Sequence, residues 1–463
     1  MDVFIFSHTH WDREWYLSQN QFQYRLIRTV DEIIDCIQQD SSFNEFVFDG
    51  QTSIIDDYLE LRPERADLLR DLITSGKLTI GPWYTMPDVF LPDGESLIRN
   101  LARGWRDCRH WGAPFPNVGY IPDSFGHVEQ VPQILRGVGI DNFEFSRGLP
   151  TALSGQPGFH REFFWQAPDG SRVIAIHLPS GYHGGMFLPP PSDREALVAH
   201  IRALIDQAGR NTLVPDVILI PHGIDHSWLQ RDIGELLGVL REDMPDITLH
   251  HGSLQDFVEA CKERLNSTDM VTYEGQLRGY LGVNELHGTL SSRVDTKIGN
   301  ELAQMHVESL AEPLDAIAQR FGKASAERFL GKAWRGLFHS HAHDSICGCS
   351  QDRVHDDVNT RFREAVELGI DIADSALDYL NNDALRDRIP TAVVYAGLNG
   401  GNRLVDVVIR LPQPPGDTAC FMDEDGGVYP VQFDAILHMK TACTNGHVVY
   451  YECRGCVFIP DLA

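Results

Sequence analysis

The sequence predicts an α/β protein with a mostly parallel, seven-stranded, barrel-like sheet covered by helices, then a three-helix bundle and the start of a β-sandwich region. Up to about residue 270, short apolar runs alternate with amphipathic helical patterns. From about residue 293 to 382 the strand-like runs disappear and long helical patterns follow one another. After Pro390 the chain changes to period-two alternation with turn signals.

The domain boundaries follow these changes in pattern. A chain of 463 residues is too long for one hydrophobic core. We place an α/β domain at residues 1–270, a helical domain at 271–385 and the beginning of a β domain at 390–463. The last segment is short for a sandwich of about 100 residues, so we expect the β domain to be truncated here.

The first strand and the first helix have the plainest patterns. The run VFIF at Val3 to Phe6 predicts a buried strand. The following segment, QFQYRLIRTVDEIIDCI, predicts an amphipathic helix. Its apolar face comprises Leu26, Ile27, Val30, Ile33, Ile34 and Ile37.

Polar or glycine residues follow the other predicted strands of the α/β region. These strands are FVF, LTIG, VGYI, VIAIHL and VILIPHG, and FVF, for example, ends at Asp49 and Gly50. Open α/β sheets bind their ligands at the carboxyl ends of strands. We therefore expect the functional site at that edge.

Composition excludes several classes of partner. Subtracting 66 acidic from 39 basic residues leaves a net charge of −27, which argues against nucleic acid or an anionic membrane as partner. No apolar run reaches the roughly 20 residues of a membrane-spanning helix, and the N-terminal apolar run is too short for a signal peptide. The nine scattered cysteines are typical of reduced thiols in a cytoplasmic protein.

A cluster of possible metal ligands follows the first strand, in HTHWD. On an extended segment, alternate side chains share one side, so His8, His10 and Asp12 can point together. Two imidazoles and a carboxylate suit a divalent ion such as zinc. The alternative is that a His-x-His pair only caps the strand.

Two aspartates follow later strands and form a possible catalytic pair. Asp123 comes directly after the strand in GYIPDSFGH, where a helix N-cap is the alternative role. Asp225 follows the strand in LIPHGIDHSW and could face Asp123 across a cleft. Glycoside hydrolysis needs such a pair, one carboxylate to attack or activate water and the other to protonate the departing oxygen.

The segment HSHAHDSICGCS carries further metal-binding residue types. Its three alternating histidines, His339, His341 and His343, would point in different directions on a helical turn, so we expect one of them in any site. Cys347 and Cys349 could form a thiolate site, but without a second cysteine pair we interpret them as structural.

Several motifs, in this order, resemble those of glycoside hydrolase family 38, the metal-dependent retaining α-mannosidases. They are HTHWDREWY, DGQT, IGPWYTMPD, ESLIRNL, GYIPDSFGH, TLSSR and HAHDSICGCS. Within this family the chain is most similar to the bacterial mannosylglycerate hydrolases. The resemblance extends from Val3 through the helical region and thins out in the last β segment.

The resemblance implies one zinc ion per chain and a pair of catalytic carboxylates. The implied metal ligands are His10, Asp12, Asp123 and His343. Asp123 is also implied as the nucleophile, and Asp225 as the general acid/base.

Other residues have supporting roles by the same resemblance. Trp15 is expected under the sugar ring and Arg147 is expected to reach the nucleophile or a substrate hydroxyl. Asp88 is assigned to substrate binding, with a turn role as the alternative for it and for Asp49. His8 and Asp344 are expected to support the metal ligands, and His222 and His226 to flank the acid without being catalytic.

The nearest candidates for binding an anionic substrate group are Arg13, Arg99 and Arg147.

The expected function is hydrolysis of a small α-mannoside, mannosylglycerate or its 6-phospho form, in the cytoplasm. The expected partner is this small molecule, with no nucleic acid or membrane, and a homo-oligomer is left open. The alternatives are another α-mannosidase specificity such as a mannooligosaccharide, a metal-dependent carbohydrate deacetylase, and a truncated sugar-binding form without catalysis.

Overall fold

The computed structural model describes residues 1–226, 229–279, 284–384, 403–411, 420–422, 428–443 and 447–459. They divide into two compact units. The first comprises Met1–Leu310 and Glu327–Ile370, and the second Ala311–Ala326 and Asp371–Ala463. The predicted domain boundaries stay predictions, and the one at 390 lies outside the described residues.

The sheets of the first unit are mostly parallel, as predicted. The strands are β1 (Asp2–Ser7), β2 (Phe46–Val47), β3 (Leu78–Thr79), β4 (Asn142–Phe145), β5 (Glu162–Gln166), β6 (Arg172–His177), β7 (Val217–His222), β8 (Thr248–His251) and β9 (Thr272–Glu274). They form three sheets, with orders β7-β1-β8, β2-β3 and β4-β6-β5-β9, and only β5 and β6 pair antiparallel. A single barrel of seven strands is not confirmed. The predicted strand VGYI contributes one bridge, Tyr120 to Glu144.

Helices cover these sheets. They are α1 (Gln19–Gln39), α2 (Ser53–Leu61), α3 (Ala66–Thr74), α4 (Gly94–Trp111), α5 (Val131–Gly137), α6 (Thr151–Ser154), α7 (Arg194–Ala208), α8 (Ile233–Asp243) and α9 (Leu254–Arg264). The predicted apolar face of α1 is buried except for the partly buried Ile27, and it packs with Val3 and Ile5 of β1 in one core. This packing removes the apolar face of α1 from water, which stabilises the fold.

The helical region begins at α10 (Val294–Gln304) and continues through α11 (Glu312–Arg320), α12 (Glu327–His341), α13 (His343–Ile346) and α14 (Asp352–Ala384). The sequence predicts long helices from about residue 293. The first of them is interrupted by a π-helical segment, Met305–Ala311, between α10 and α11. Pro313 lies in the first turn of α11 and has no N–H to continue the helical ladder. Within the first unit, α12 packs against α10.

The second unit contains α11, the end of α14 and one antiparallel sheet. Its strands are β10 (Arg403–Leu411), β11 (Cys420–Met422), β12 (Val428–Cys443) and β13 (His447–Ile459), in the order β10-β13-β12-β11. Its helices meet through an apolar cluster of Leu314, Ala318, Ala373 and Ala376. Across the described parts of both units, no helix combines the length and apolar character needed to cross a membrane.

Candidate active site

Single backbone bridges bring three distant segments to one place in the first unit. Beyond β1, the extended chain continues to His10, which bridges Asp225 beyond β7. Pro87 bridges Ala342, immediately before α13. The segment that starts α13 therefore lies beside the loops at the strand ends. This placement brings His343 close to His10.

Four side chains converge at this point. The Oδ1 atom of Asp12 lies 3.2 Å from Nε2 of His10 and 3.2 Å from Nε2 of His343. The Oδ2 atom of Asp123 lies 3.8 Å and 3.4 Å from the same two nitrogens. All four residues are buried. The set is the one that the sequence resemblance implies for zinc.

The four separations between the histidine nitrogens and the aspartate oxygens suit ligands of a zinc ion. Ligands about 2.0–2.2 Å from zinc stand about 3.4 Å apart, close to these separations. His10 Nε2, Asp12 Oδ1 and His343 Nε2 are buried and make no well-formed hydrogen bond within the described residues. Buried polar atoms without partners are costly, and a cation between them would satisfy all three. His10, Asp123 and His343 also form a group with ligand atoms within 4.8 Å of one another.

Asp49 contacts the ring nitrogen of His10 that does not face Asp12 and Asp123. Its Oδ2 lies 2.8 Å from Nδ1 of His10, and it also accepts hydrogen bonds from Trp11 N and Gln51 Nε2. Burial disfavours the charged imidazole, but the carboxylates of Asp49 and Asp12 outweigh it and hold the pKa of His10 well above its usual range. The sequence left Asp49 between a turn role and an active-face role, and its position in the motif DGQT was the available signal.

Arg147 holds the carboxylate of Asp123. Its Nε and Nη2 lie 2.8 Å and 2.7 Å from Asp123 Oδ1, while Oδ2 faces the histidines. Burial opposes ionisation of Asp123, but its close contact with His343 and the charge of Arg147 keep its pKa below the ordinary value. Arg147 thus contacts Asp123, the residue implied as the nucleophile by the resemblance, and its role in catalysis stays a prediction.

Asp225 bridges His10 through the backbone, and both residues contact Tyr182. Tyr182 donates a hydrogen bond from Oη to Asp225 Oδ1 at 2.8 Å, and the Tyr182 ring lies 4.8 Å from that of His10. His226, with a left-handed φ of 50°, places Nε2 within 3.1 Å of Asp12 N. Tyr182 is a site residue that the sequence motifs did not indicate.

The three histidines at the junction of α12 and α13 have different partners. His339 contacts the hydroxyl of Tyr84 at 3.0 Å, and His341 contacts Asn300 Oδ1 at 2.7 Å. Only His343 of the three lies with Asp12 and Asp123. This divergence is the one expected for alternate positions at a helix end.

Asp344 and His8 are buried close to the ligands. Asp344 has a ligand atom within 4.8 Å of those of Asp12 and His343. Burial and the charge of Asp12 raise its pKa well above the ordinary value. His8 Nε2 lies 2.7 Å from the carbonyl of Tyr182, and burial lowers its pKa to about 4.

Asp88 and Trp15 have local contacts. Asp88 Oδ1 accepts from the N–H groups of Phe90 and Leu91, which is a turn role, while Oδ2 is buried without a partner among the described residues. Trp15 is half-buried, with its ring 5.0 Å from that of Tyr16 and 6.2 Å from that of His226. Neither contact tests a role in substrate binding.

The arginines proposed for an anionic group all have acidic partners. Arg13 pairs with Asp57 through Nε and Nη2, at 2.9 Å and 3.1 Å. Arg99 pairs with Glu95 at 2.7 Å, and Arg147 with Asp123.

A buried ion pair connects the opening segment with α14. Arg361 donates from Nη1 to Glu14 Oε2 at 3.2 Å and from Nη2 to Glu14 Oε1. Ser345 Oγ, in α13, donates to Glu14 Oε1 at 2.7 Å. Glu14, unassigned by sequence, thus fixes the loop of His10 to the helix of His343.

Family models match most of the chain. Residues 1–276 match the "Glycosyl hydrolases family 38 N-terminal domain", and residues 285–380 match the "Alpha mannosidase middle domain". The chain belongs to glycosyl hydrolase family 38. The family that the motifs suggested is therefore confirmed.

Individual relatives agree with this membership. A "Putative mannosylglycerate hydrolase" of Halalkalibacterium halodurans is 36% identical over 79% of this chain and 41% of its own length. "Alpha-mannosidase G" of Dictyostelium discoideum is 24% identical over 71% of this chain and 29% of its own. A crystal structure of an α-mannosidase from Enterococcus faecalis V583 superposes with a TM-score of 0.85 at 31% identity, covering 99% of this chain and 54% of that one. The chain thus spans about half or less of these relatives.

Proposed function

We propose that this family 38 chain carries the catalytic site of a zinc-dependent, retaining α-mannosidase. The observation that carries the proposal is the placement of Asp123, whose two carboxylate oxygens face different partners. Oδ2 faces the histidines of the ligand group, and Oδ1 accepts from Arg147. One carboxylate held in this way is ionised and fixed in direction, as a nucleophile must be.

The residues divide the two steps of a retaining mechanism between them. Asp123 attacks the anomeric carbon while Asp225 gives a proton to the departing oxygen, which leaves a mannosyl ester on Asp123. Asp225, held by Tyr182, then takes a proton from water as the water displaces Asp123. A zinc ion held by His10, Asp12, Asp123 and His343 would supply positive charge for the hydroxyls of the mannose ring.

The proposed substrate is mannosylglycerate, the compound in the printed name of the Halalkalibacterium relative, with its 6-phospho form as the second candidate. Arg278 supports an anionic substrate. It is exposed, its guanidinium lies 5.3 Å from the ring centroid of Phe90, and the next residue, Gly279, donates to the carbonyl of Gly148, beside Arg147. We infer that Arg278 binds the glycerate carboxylate or the phosphate.

The test is product analysis with zinc-loaded protein on mannosylglycerate, its 6-phosphate and an α-linked mannobiose, with the first anomer followed by NMR. We expect α-mannose, or its 6-phosphate, from an anionic substrate. The variant Arg278→Met should raise KM at least about tenfold for that substrate and leave an uncharged aryl α-mannoside unchanged. Equal turnover of mannobiose would contradict the proposed substrate. A β-anomer as the first product would contradict the role of Asp123 as nucleophile.

Two results would indicate a function other than the proposed one. Release of acetate from an acetylated sugar, without turnover of any aryl α-mannoside, would indicate a deacetylase. Binding of mannosides without turnover of any, with zinc present, would indicate a sugar-binding form. The cytoplasmic location predicted from the cysteines stays a prediction, as does the oligomeric state.

A further inference from the structure

Two thiols touch at the end of the segment that carries His343. Cys347 Sγ lies 3.2 Å from Cys349 Sγ, with Cys347 buried and Cys349 exposed. Gly348 between them has a φ of +89°, in the left-handed region that favours glycine. A Cβ at this position would meet Ser292 Oγ at 2.8 Å. The turn that joins the two thiols is therefore built for a glycine.

The backbone of this turn is held by donors from α10 and the residues before it. Lys297 Nζ donates to the carbonyls of Ile346 and Cys347, both at 2.8 Å. Ser292 Oγ donates to the carbonyl of Gly348 at 3.1 Å. The carbonyls of three successive residues, Ile346 to Gly348, are thus held by hydrogen bonds, which fixes the backbone of the turn that joins the two thiols.

Cys349 also differs in reactivity from the buried cysteines. A hydrogen bond donated by Cys347 outweighs burial and lowers the pKa of Cys349 to about 7. Burial raises the pKa of Cys108 to about 12 and that of Cys261 well above its usual range. An exposed sulfur with a substantial thiolate fraction is the reactive kind of cysteine.

The two cysteines lie close to Asp344, the residue next to the proposed zinc ligand His343. Cys349 Sγ lies 3.1 Å from Asp344 Oδ1, and Cys347 Sγ lies 4.0 Å from the same oxygen. Asp344 precedes the pair on the chain and follows His343 directly. A change at the sulfurs therefore reaches the residue that supports a proposed zinc ligand.

We propose that Cys347 and Cys349 are a redox-sensitive site, which a peroxide converts to a reversible disulfide that weakens metal binding at His343. The metal effect rests on the proposed function, whereas the disulfide does not. The separation of 3.2 Å is a near-attack distance, and closing it to the roughly 2.05 Å of a disulfide pulls both sulfurs from their positions beside Asp344.

The chemistry balances with the peroxide as oxidant. The Cys349 thiolate attacks one peroxide oxygen, the O–O bond breaks, and the departing hydroxide takes up from solvent the proton that the thiol had lost, so a sulfenic acid and one water result. The Cys347 sulfur then attacks the sulfenic sulfur, the S–S bond forms, the S–O bond breaks, and the thiol proton leaves with the second water. Two thiols lose two electrons, the peroxide becomes two waters, and a dithiol reverses the modification by exchange.

The first experiment treats the whole chain with one equivalent of hydrogen peroxide and measures alkylatable thiols and peptide mass. We expect loss of two thiols and of two hydrogen masses from the peptide that contains both cysteines, reversed by dithiothreitol. Cys349→Ser should abolish the loss, and Cys347→Ser should stop at a sulfenic acid that dimedone traps. The matched control, Cys36→Ser, should behave as wild type. Equal oxidation of wild type and Cys349→Ser would overturn the proposal.

The second measurement is zinc affinity of the reduced and oxidised protein, by competition with a chelator. We expect at least a tenfold weaker affinity after oxidation in wild type and no change in Cys349→Ser. Unchanged affinity in a protein with the disulfide formed would overturn the link to His343. A second zinc bound by the reduced thiols and lost in Cys347→Ser would instead make the pair a metal site. None of these readouts uses a mannoside, so the function can fail independently.

Discussion

The carboxylate of Asp49 lies 2.8 Å from Nδ1 of His10, while Nε2 of the same ring faces Asp12 at 3.2 Å. A metal-binding histidine is oriented by the group that its other nitrogen contacts. In the proposed zinc site, Asp49 would therefore determine which nitrogen of His10 faces the ion.

The variant Asp49→Asn tests this orientation. An amide keeps the shape but loses the charge, so we expect zinc affinity to fall about 10- to 100-fold. Competition with a chromophoric chelator measures the affinity. Asp141→Asn, which removes a partly exposed partner of Lys262, is the control and should change nothing. Unaltered zinc affinity in Asp49→Asn would contradict the role of Asp49.

Removal of Arg147 should change both the rate and its pH dependence. Since the charge of Arg147 helps to lower the pKa of Asp123, Arg147→Met should raise that pKa and move the acidic limb of kcat/KM to higher pH. The loss at the optimum should be about 10- to 100-fold, the value of a hydrogen bond to a charged group.

A pH profile of the variant, with Arg147→Lys beside it, measures this effect. The lysine should restore part of the rate and move the limb back toward lower pH. Arg172→Met is the control, because Arg172 stacks on Phe164 at 4.4 Å and not on a carboxylate. An acidic limb that stays in place in Arg147→Met would argue against the contact with Asp123.

Tyr182 is expected to position Asp225 for proton donation. In Tyr182→Phe the hydrogen bond to Asp225 is lost, and kcat/KM should fall about tenfold or more on a substrate with a poor leaving group. An activated aryl mannoside, which needs little proton donation, should be nearly unaffected. Tyr273→Phe loses a hydroxyl that donates to the Gln276 carbonyl and serves as control. Equal losses on both substrates would assign Tyr182 a structural role.

The ion pair of Glu14 and Arg361 should stabilise the fold around the site. Arg361→Met leaves the fully buried Glu14 carboxylate uncompensated, so the free energy of unfolding should fall by about 3 kcal/mol. The double variant with Glu14→Gln should recover part of this loss. Urea unfolding measures both. Arg353→Met removes an exposed pair with Asp357 and should cost at most about 0.5 kcal/mol. A similar cost for both arginines would contradict the account.

Elements with local patterns were predictable from the sequence. Strand β1 and helix α1 depend on apolar periodicity within their own residues, and both form where the pattern places them. The run VGYI has the same composition as a strand, yet only Tyr120 bridges Glu144. Whether an apolar run becomes a strand depends on how many partner residues stand beside it, which the run itself does not specify.

The site was predictable only where motifs carried it. His10, Asp12, Asp123 and His343 belong to family motifs, and the structure brings them together. Glu14 meets Arg361 across 347 positions. Such a contact has no local signal in one sequence, because it depends on how separate segments close on each other.

Covalent trapping tests the central claim, that Asp123 forms the bond to the sugar. A 5-fluoro glycosyl fluoride of the mannose series slows release of the intermediate, so zinc-loaded protein should accumulate one label, located by peptide mass spectrometry. We expect the label on Asp123 and none in Asp123→Ala. A label on Asp225, or turnover of the reagent by Asp123→Ala, would contradict that claim.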